Sequence, residues 1–144
     1  MNLSALKTEK IPVLVVEDDD IHAEGLLRAF KKENIPNPIY RSHDGIEAYE
    51  LLCRLPQPCI VLLDISLPRM SGFGLLEKIR RNEKTSETLV FVIATMGSDE
   101  DRLRAYDNNV AGYILKKDVE NFMPILRGYC TGGALSVTPQ PLRA

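Results

Sequence analysis

Five short apolar runs punctuate the chain, and each is followed by polar residues and then by apolar positions at helical spacing. The first run, residues 11–16, is short, apolar and rich in β-branched residues. Continuous apolarity over so few positions predicts a strand buried on both faces. It stops at Glu17, Asp18, Asp19 and Asp20. These acids supply an N-cap and favourable first-turn charge for a helix reaching about Glu33. Ile21, Ala23, Leu26, Leu27 and Phe30 recur along it at the period of one apolar face. Two prolines within residues 34–38 break that helix. A weaker strand follows at 39–42, then a turn at Asp44-Gly45 and a helix over 46–55 ended by Pro56 and Pro58.

The third strand, 59–63, is the most apolar and runs straight into Asp64. Pro68 and Gly72 punctuate the next loop. A helix over 73–81 turns Leu75, Leu76 and Ile79 inward. Residues 89–95 read as the fourth strand, and a fourth helix starts within 97–99 and runs to about Asn108. Residues 111–115 read as the fifth strand, and Asp118 caps a last helix ending near Tyr129. Five alternations of strand and helix predict an α/β fold: a doubly wound, five-stranded parallel sheet of order 2-1-3-4-5, flavodoxin-like, with helices on both faces. The expected organisation is an N-terminal extension at 1–10, one domain at 11–129 and a flexible C-terminal tail at 130–144, too short for a second domain.

Composition narrows the class. The 144 residues include 18 Lys+Arg and 20 Asp+Glu, a net charge of −2, with 44% apolar residues. That is ordinary globular usage and excludes disorder and collagen. No apolar run reaches the roughly 18 residues of a membrane span. The near-neutral balance argues against a generic nucleic-acid binder. Cys53, Cys59 and Cys130 are odd in number and lack CxxC spacing, and residues 1–10 lack the apolar core of a secretory signal. The expectation is a cytoplasmic protein with reduced thiols and no membrane or nucleic-acid partner.

Candidate chemistry collects at strand ends. In an open parallel sheet, ligands sit beyond the carboxyl ends of the strands, where strand order reverses. Strands one and three are neighbours there, so Glu17, Asp18 and Asp64 face one another. Two like charges about 4 Å apart repel by roughly 1 kcal/mol in water and about 4 at an effective dielectric near 20. Three such groups need raised pKa values or a cation, and Mg²⁺ suits an all-oxygen site shared with a phosphate. Thr95 closes strand four with a hydroxyl and Lys116 closes strand five with an ammonium. Metal ligands, a carboxylate able to accept a phosphoryl group, a hydroxyl and an ammonium together suit phosphoryl chemistry.

Four segments resemble the receiver domains of two-component response regulators. They are VLVVEDD at 13–19, the run from Asp64 through Pro68 to Gly72, Ile93-Ala-Thr95, and Gly112-Tyr113-Ile-Leu-Lys116. The resemblance implies that Asp64 is the phospho-acceptor and Asp18 a direct Mg²⁺ ligand. Glu17 acts mostly through water, and the backbone carbonyl of Ser66 completes the metal site. Lys116 pairs with the phosphoryl group, and Thr95 and Tyr113 form a switch pair. A sensor histidine kinase or histidine phosphotransfer protein supplies the phosphoryl group. The domain is then no enzyme in the ordinary sense, helping only its own phosphorylation and slow hydrolysis. The extension beyond the last helix resembles stand-alone regulators associated with phytochromes, which would make a phytochrome the kinase.

Two positions depart from the family pattern: Met96 stands where a small residue is usual, and Lys117 where proline is usual. Met96 in that place narrows access to Asp64, and Lys117 removes the preference for a cis peptide, leaving the following loop rearranged. Phosphorylation is expected to bias the face of the fourth helix, fifth strand and fifth helix, including Tyr106, Tyr113 and Met123, which binds a target or forms a homodimer. The first helix near Ile21, His22 and Gly25 is expected to dock the phosphodonor, with His22 and His43 solvated. Two other classes stay open: a phosphate-independent pseudo-receiver that only binds partners, and a haloacid-type phosphatase using Asp18 and Asp20.

Overall fold

The computed structural model describes residues 10–67 and 70–131. Residues 1–9, residues 68–69 including Pro68, and the part of the expected tail from residue 132 lie outside the described residues. Five strands alternate with five helices: β1 Val13–Val16, α1 Asp20–Lys32, β2 Ile39–Ser42, α2 Gly45–Arg54, β3 Ile60–Asp64, α3 Gly72–Arg81, β4 Leu89–Ala94, α4 Asp99–Asp107, β5 Gly112–Leu115 and α5 Val119–Thr131. All strands are parallel, in the order β2-β1-β3-β4-β5.

The apolar runs resolve into two cores by strict alternation. Leu14, Val16, Val61, Leu63, Val90 and Val92 pack against α2, α3 and α4. Val13, Val15, Ile60, Leu62, Phe91 and Ile93 pack against α1 and α5. Both faces of the central strands are covered, which is why they read as unbroken apolar segments. Phe91 also contacts Phe122 and Tyr129 of α5, with ring centroids 4.9 and 5.4 Å away.

Capping follows the local sequence. Asp19 accepts from the His22 amide and caps α1, Asp44 caps α2, Ser71 caps α3 and Ser98 caps α4. The expected Asp118 cap is replaced: residues 116–118 form a 3₁₀ turn closed by the Val119 amide on the Lys116 carbonyl. This is how the chain leaves β5 at Lys117. The last helix continues past Tyr129 through the buried Cys130 to Thr131.

Two expectations are corrected. Leu27 of α1 is 40% exposed, because the buried stripe is the narrower set Ala23, Leu26 and Phe30, while Ile21, expected at the donor-docking surface, is 75% exposed. Met123, expected on the signalling face, is 2% exposed, since it fills the core between α5 and the sheet. Arg80 acts as an internal staple that the pattern did not single out. Its guanidinium donates to the carbonyls of Asn108, Ser86, Thr88 and Asn109, tying α3 to the end of α4.

Candidate functional site

The carboxyl ends of β1, β3 and β5 meet at one edge of the sheet. Val16 pairs with Leu63 across β1 and β3, so Glu17 and Asp64 leave neighbouring strands at the same height. One carboxylate oxygen from each of Glu17, Asp18 and Asp64 falls within 4.8 Å of the others. Glu17 and Asp64 are buried, at 1% and 5% exposure, while Asp18 is open to solvent. The three acids expected to converge do so.

Lys116 follows β5 and extends into this cluster. Its Nζ lies 2.8 Å from Glu17 Oε1 and donates to Asp64 Oδ2 at 3.1 Å. The other Asp64 oxygen, Oδ1, accepts from the Ser66 amide at 2.8 Å. Ser66 lies in the exposed bend after β3. His22 is not merely solvated: its Nδ1 lies 2.8 Å from Lys116 Nζ, so the ammonium is shared among three side chains. His43 lies 3.9 Å from Asp20 and 3.7 Å from Glu47, away from the acid cluster's ligand atoms.

Electrostatics record the crowding. Burial first, and then a hydrogen bond shared with Asp64, push Glu17 up to about 7 despite the opposing pull of Lys116. For Lys116, burial favours the neutral amine, but Glu17 and Asp64 outweigh it and the ammonium is held above its ordinary range. Glu17 Oε1 is buried without an aligned hydrogen bond, even though Lys116 is close. One ammonium therefore leaves the negative cluster under-compensated. The donor set is all oxygen and hard, which fits a small divalent cation with retained waters.

Thr95 and Tyr113 flank the pocket differently. Thr95 lies one residue beyond β4, exposed, and among the described residues its hydroxyl makes no hydrogen bond. Tyr113 is half-buried beside the core under α4, with its hydroxyl enclosed and unpartnered. The Arg102 guanidinium lies 5.4 Å from the ring centroid. Burial, with Asp101 adding to it, raises the Tyr113 phenol above its usual range. Gly97 makes room for the ring: a β-carbon there would lie 3.0 Å from Tyr113 Cε1. Met96 is 82% exposed and projects into solvent.

Beside the acid cluster a cleft of about 590 Å³ runs between α1 and the start of α5. Leu26, Ala29 and Val119 are among its apolar walls, and Arg28, Lys32 and Lys117 add cationic groups. Glu17 and Lys116 line it as well, so it communicates with the site.

One contributor escaped the sequence reading. Arg41 on β2 donates from Nε and Nη2 to the Glu17 carbonyl at 3.1 and 2.9 Å. A cation on the strand adjoining an acidic strand end was the available signal, but β2 was the weakest strand in the pattern.

Comparison with known proteins agrees with this geometry. The sequence model of one family, described as the response regulator receiver domain, matches residues 13–127. FilR2 of Methanothrix harundinacea (strain 6Ac), a probable methanogenesis regulatory protein, is 34% identical over 137 residues, covering 88% of each chain. A response regulator receiver domain from Rhodospirillum rubrum superposes with a TM-score of 0.75 at 25% identity, covering 91% of this chain and 99% of that one. The bacteriophytochrome response regulator AtBRR gives 0.71 at 25% identity, covering 85% and 94%.

Proposed function

This chain belongs to the response regulator receiver family, a family of signalling phospho-acceptors, and on that premise we propose that Asp64 accepts the phosphoryl group from a histidine kinase or phosphotransfer protein. The observation that carries this reading is the contact of Lys116 Nζ with Asp64 Oδ2 at 3.1 Å, made across the ends of β5 and β3. A nucleophilic carboxylate held beside a fixed ammonium is what transfer onto a carboxylate needs.

Each residue has a defined task. Asp18 and Asp64, with the Ser66 carbonyl and with Glu17 acting mostly through water, would hold Mg²⁺. When bound, the dication screens phosphoryl oxygens and acts on them as a Lewis acid. The Ser66 amide fixes one Asp64 oxygen and so orients the carboxylate. An Asp64 oxygen attacks the phosphorus of a phosphohistidine. The O–P bond forms as the N–P bond breaks, and the imidazole leaves with the electron pair and takes a proton. Lys116 pairs with the transferred group. Thr95, with a free hydroxyl, closes onto a phosphoryl oxygen, and Tyr113 turns further into the space behind it.

The donor docks over the cleft between α1 and α5. Ile21 at 75% exposure offers an apolar anchor next to the site. The output face is α4-β5-α5, which forms a homodimer or meets a target; Leu103, Tyr106 and Ile125 expose apolar surface there. A phytochrome as the kinase accords with the likeness to AtBRR.

The test is labelling with Mg²⁺ and radioactive acetyl phosphate. Stoichiometric label that is absent in Asp64→Asn supports the reading. Absence of label in the wild type overturns it in favour of a pseudo-receiver, and substrate turnover with label at Asp18 overturns it in favour of a phosphatase.

A further inference from the structure

Among the described residues, Arg41 is the side chain that grips both ends of the acidic turn. Glu17 is the first residue after β1, and Asp20 is the residue at which α1 begins. Between them the chain must place two of the three clustered acids, Glu17 and Asp18. Arg41 Nε and Nη2 both donate to the Glu17 carbonyl, at 3.1 and 2.9 Å. Its remaining nitrogen, Nη1, lies 2.8 Å from Asp20 Oδ1. The Glu17 amide donates to the Ser42 carbonyl at 3.0 Å. Both backbone polar groups of Glu17 are therefore tied to β2, and one of the two ties is a side chain.

The chemistry requires arginine. A guanidinium presents its donors in a rigid planar fork, so one group can serve a carbonyl twice and a carboxylate with the third nitrogen. A lysine keeps the charge but is a single point donor and loses the geometry. The side chain is also only 21% exposed, so its orientation is held by its surroundings.

We propose that Arg41 is a positioning residue of the metal site: by bracing the Glu17–Asp20 turn it sets the direction in which Glu17 and Asp18 present their carboxylates to a divalent cation. This rests on the reading that Glu17, Asp18 and Asp64 hold Mg²⁺. Outer residues that orient metal ligands typically change affinity by about 10–100-fold when replaced. The effect must also depend on the ion. Mg²⁺ demands near-ideal octahedral geometry, whereas Ca²⁺ accepts irregular sites. A loosened turn therefore penalises Mg²⁺ more than Ca²⁺, while a change in overall charge or fold affects both alike.

Calorimetric titration of Mg²⁺ and Ca²⁺ into wild type and Arg41→Lys provides the test. The expected result is a fall of about ten-fold in Mg²⁺ affinity with a clearly smaller fall for Ca²⁺. Unchanged affinities, or equal losses for both ions, overturn the brace while leaving the metal reading intact. No uptake of either ion by the wild type overturns the metal reading and the brace with it. Should Arg41→Lys fail to fold, the wild-type protein still decides: the Arg41 Nε–H resonance is expected to shift on Mg²⁺ titration together with the Asp18 amide. An Nε–H signal indifferent to Mg²⁺ while the Asp18 amide moves overturns the proposal.

Discussion

Gly72 approaches Ile65 so closely that a β-carbon on it would lie 2.4 Å from the Ile65 α-carbon and 2.8 Å from the Asp64 carbonyl oxygen. The Gly72 amide donates to the Ile65 carbonyl at 3.1 Å, so the start of α3 is laced to the bend that follows Asp64. These neighbours are backbone atoms and cannot swing away. Gly72→Ala is therefore expected to displace the Asp64–Ser66 bend and to destabilise the fold by about 1–3 kcal/mol. Urea unfolding measures the loss, and acetyl phosphate labelling should slow in parallel. An unchanged urea midpoint would refute the steric account.

Lys116 is the ammonium that the buried acids share. Lys116→Met keeps length and removes charge. Labelling of Asp64 by acetyl phosphate should fall by roughly 100-fold, the usual size of a lost charge-stabilising donor. Mg²⁺ binding should persist, because no ligand oxygen has been removed. Labelling at the wild-type rate would count against Lys116 as the phosphoryl partner.

Glu17 titrates at about 7 in the folded, metal-free chain against an ordinary 4.5. Below 4.5 it is protonated in both states and contributes no pH dependence. Between 4.5 and 7 the unfolded chain ionises first, so the folded state binds more protons and stability falls as pH rises. Above 7 the loss is complete. With a chelator present, the urea midpoint should therefore decline from pH 5 to pH 7 and then level out with respect to this group. Glu17→Gln should flatten that decline; an equally steep profile in the variant would assign the pH dependence elsewhere.

Thiol reactivity should separate the three cysteines. Burial pushes Cys59 up to about 12 and Cys130 up to about 11, so both stay protonated and enclosed at neutral pH. Cys53 is only partly covered. Brief treatment of the folded protein with an alkylating reagent at pH 8, read by mass spectrometry, should modify Cys53 first. The other two should react after denaturant is added. Early modification of Cys59 would contradict the packed core between the sheet and α2 and α3.

Ile21 is exposed at the rim of the cleft between α1 and α5. Ile21→Arg should slow phosphotransfer from the cognate histidine donor while sparing labelling by acetyl phosphate, which needs no docking surface. Equal effects on the two donors would remove α1 from the interface.

The apolar alternation determined by itself that the chain folds as a parallel sheet covered on both sides. Runs such as Val13–Val16 and residues 60–63 have no polar position to offer solvent, and water would penalise any arrangement that exposed them. Because each run ends in its functional residue, Glu17, Asp64 and Lys116 were also legible: a parallel sheet brings strand ends to one edge. Tertiary structure alone decided what depends on distance between elements. It set Lys116 against both Glu17 and Asp64, carried His22 to the ammonium, drew Arg41 onto the Glu17 carbonyl and buried Met123 while exposing Ile21. Periodicity specifies which face of an element is apolar. The reach of a long polar side chain, and the width of the stripe a neighbouring helix covers, are fixed only when the elements pack.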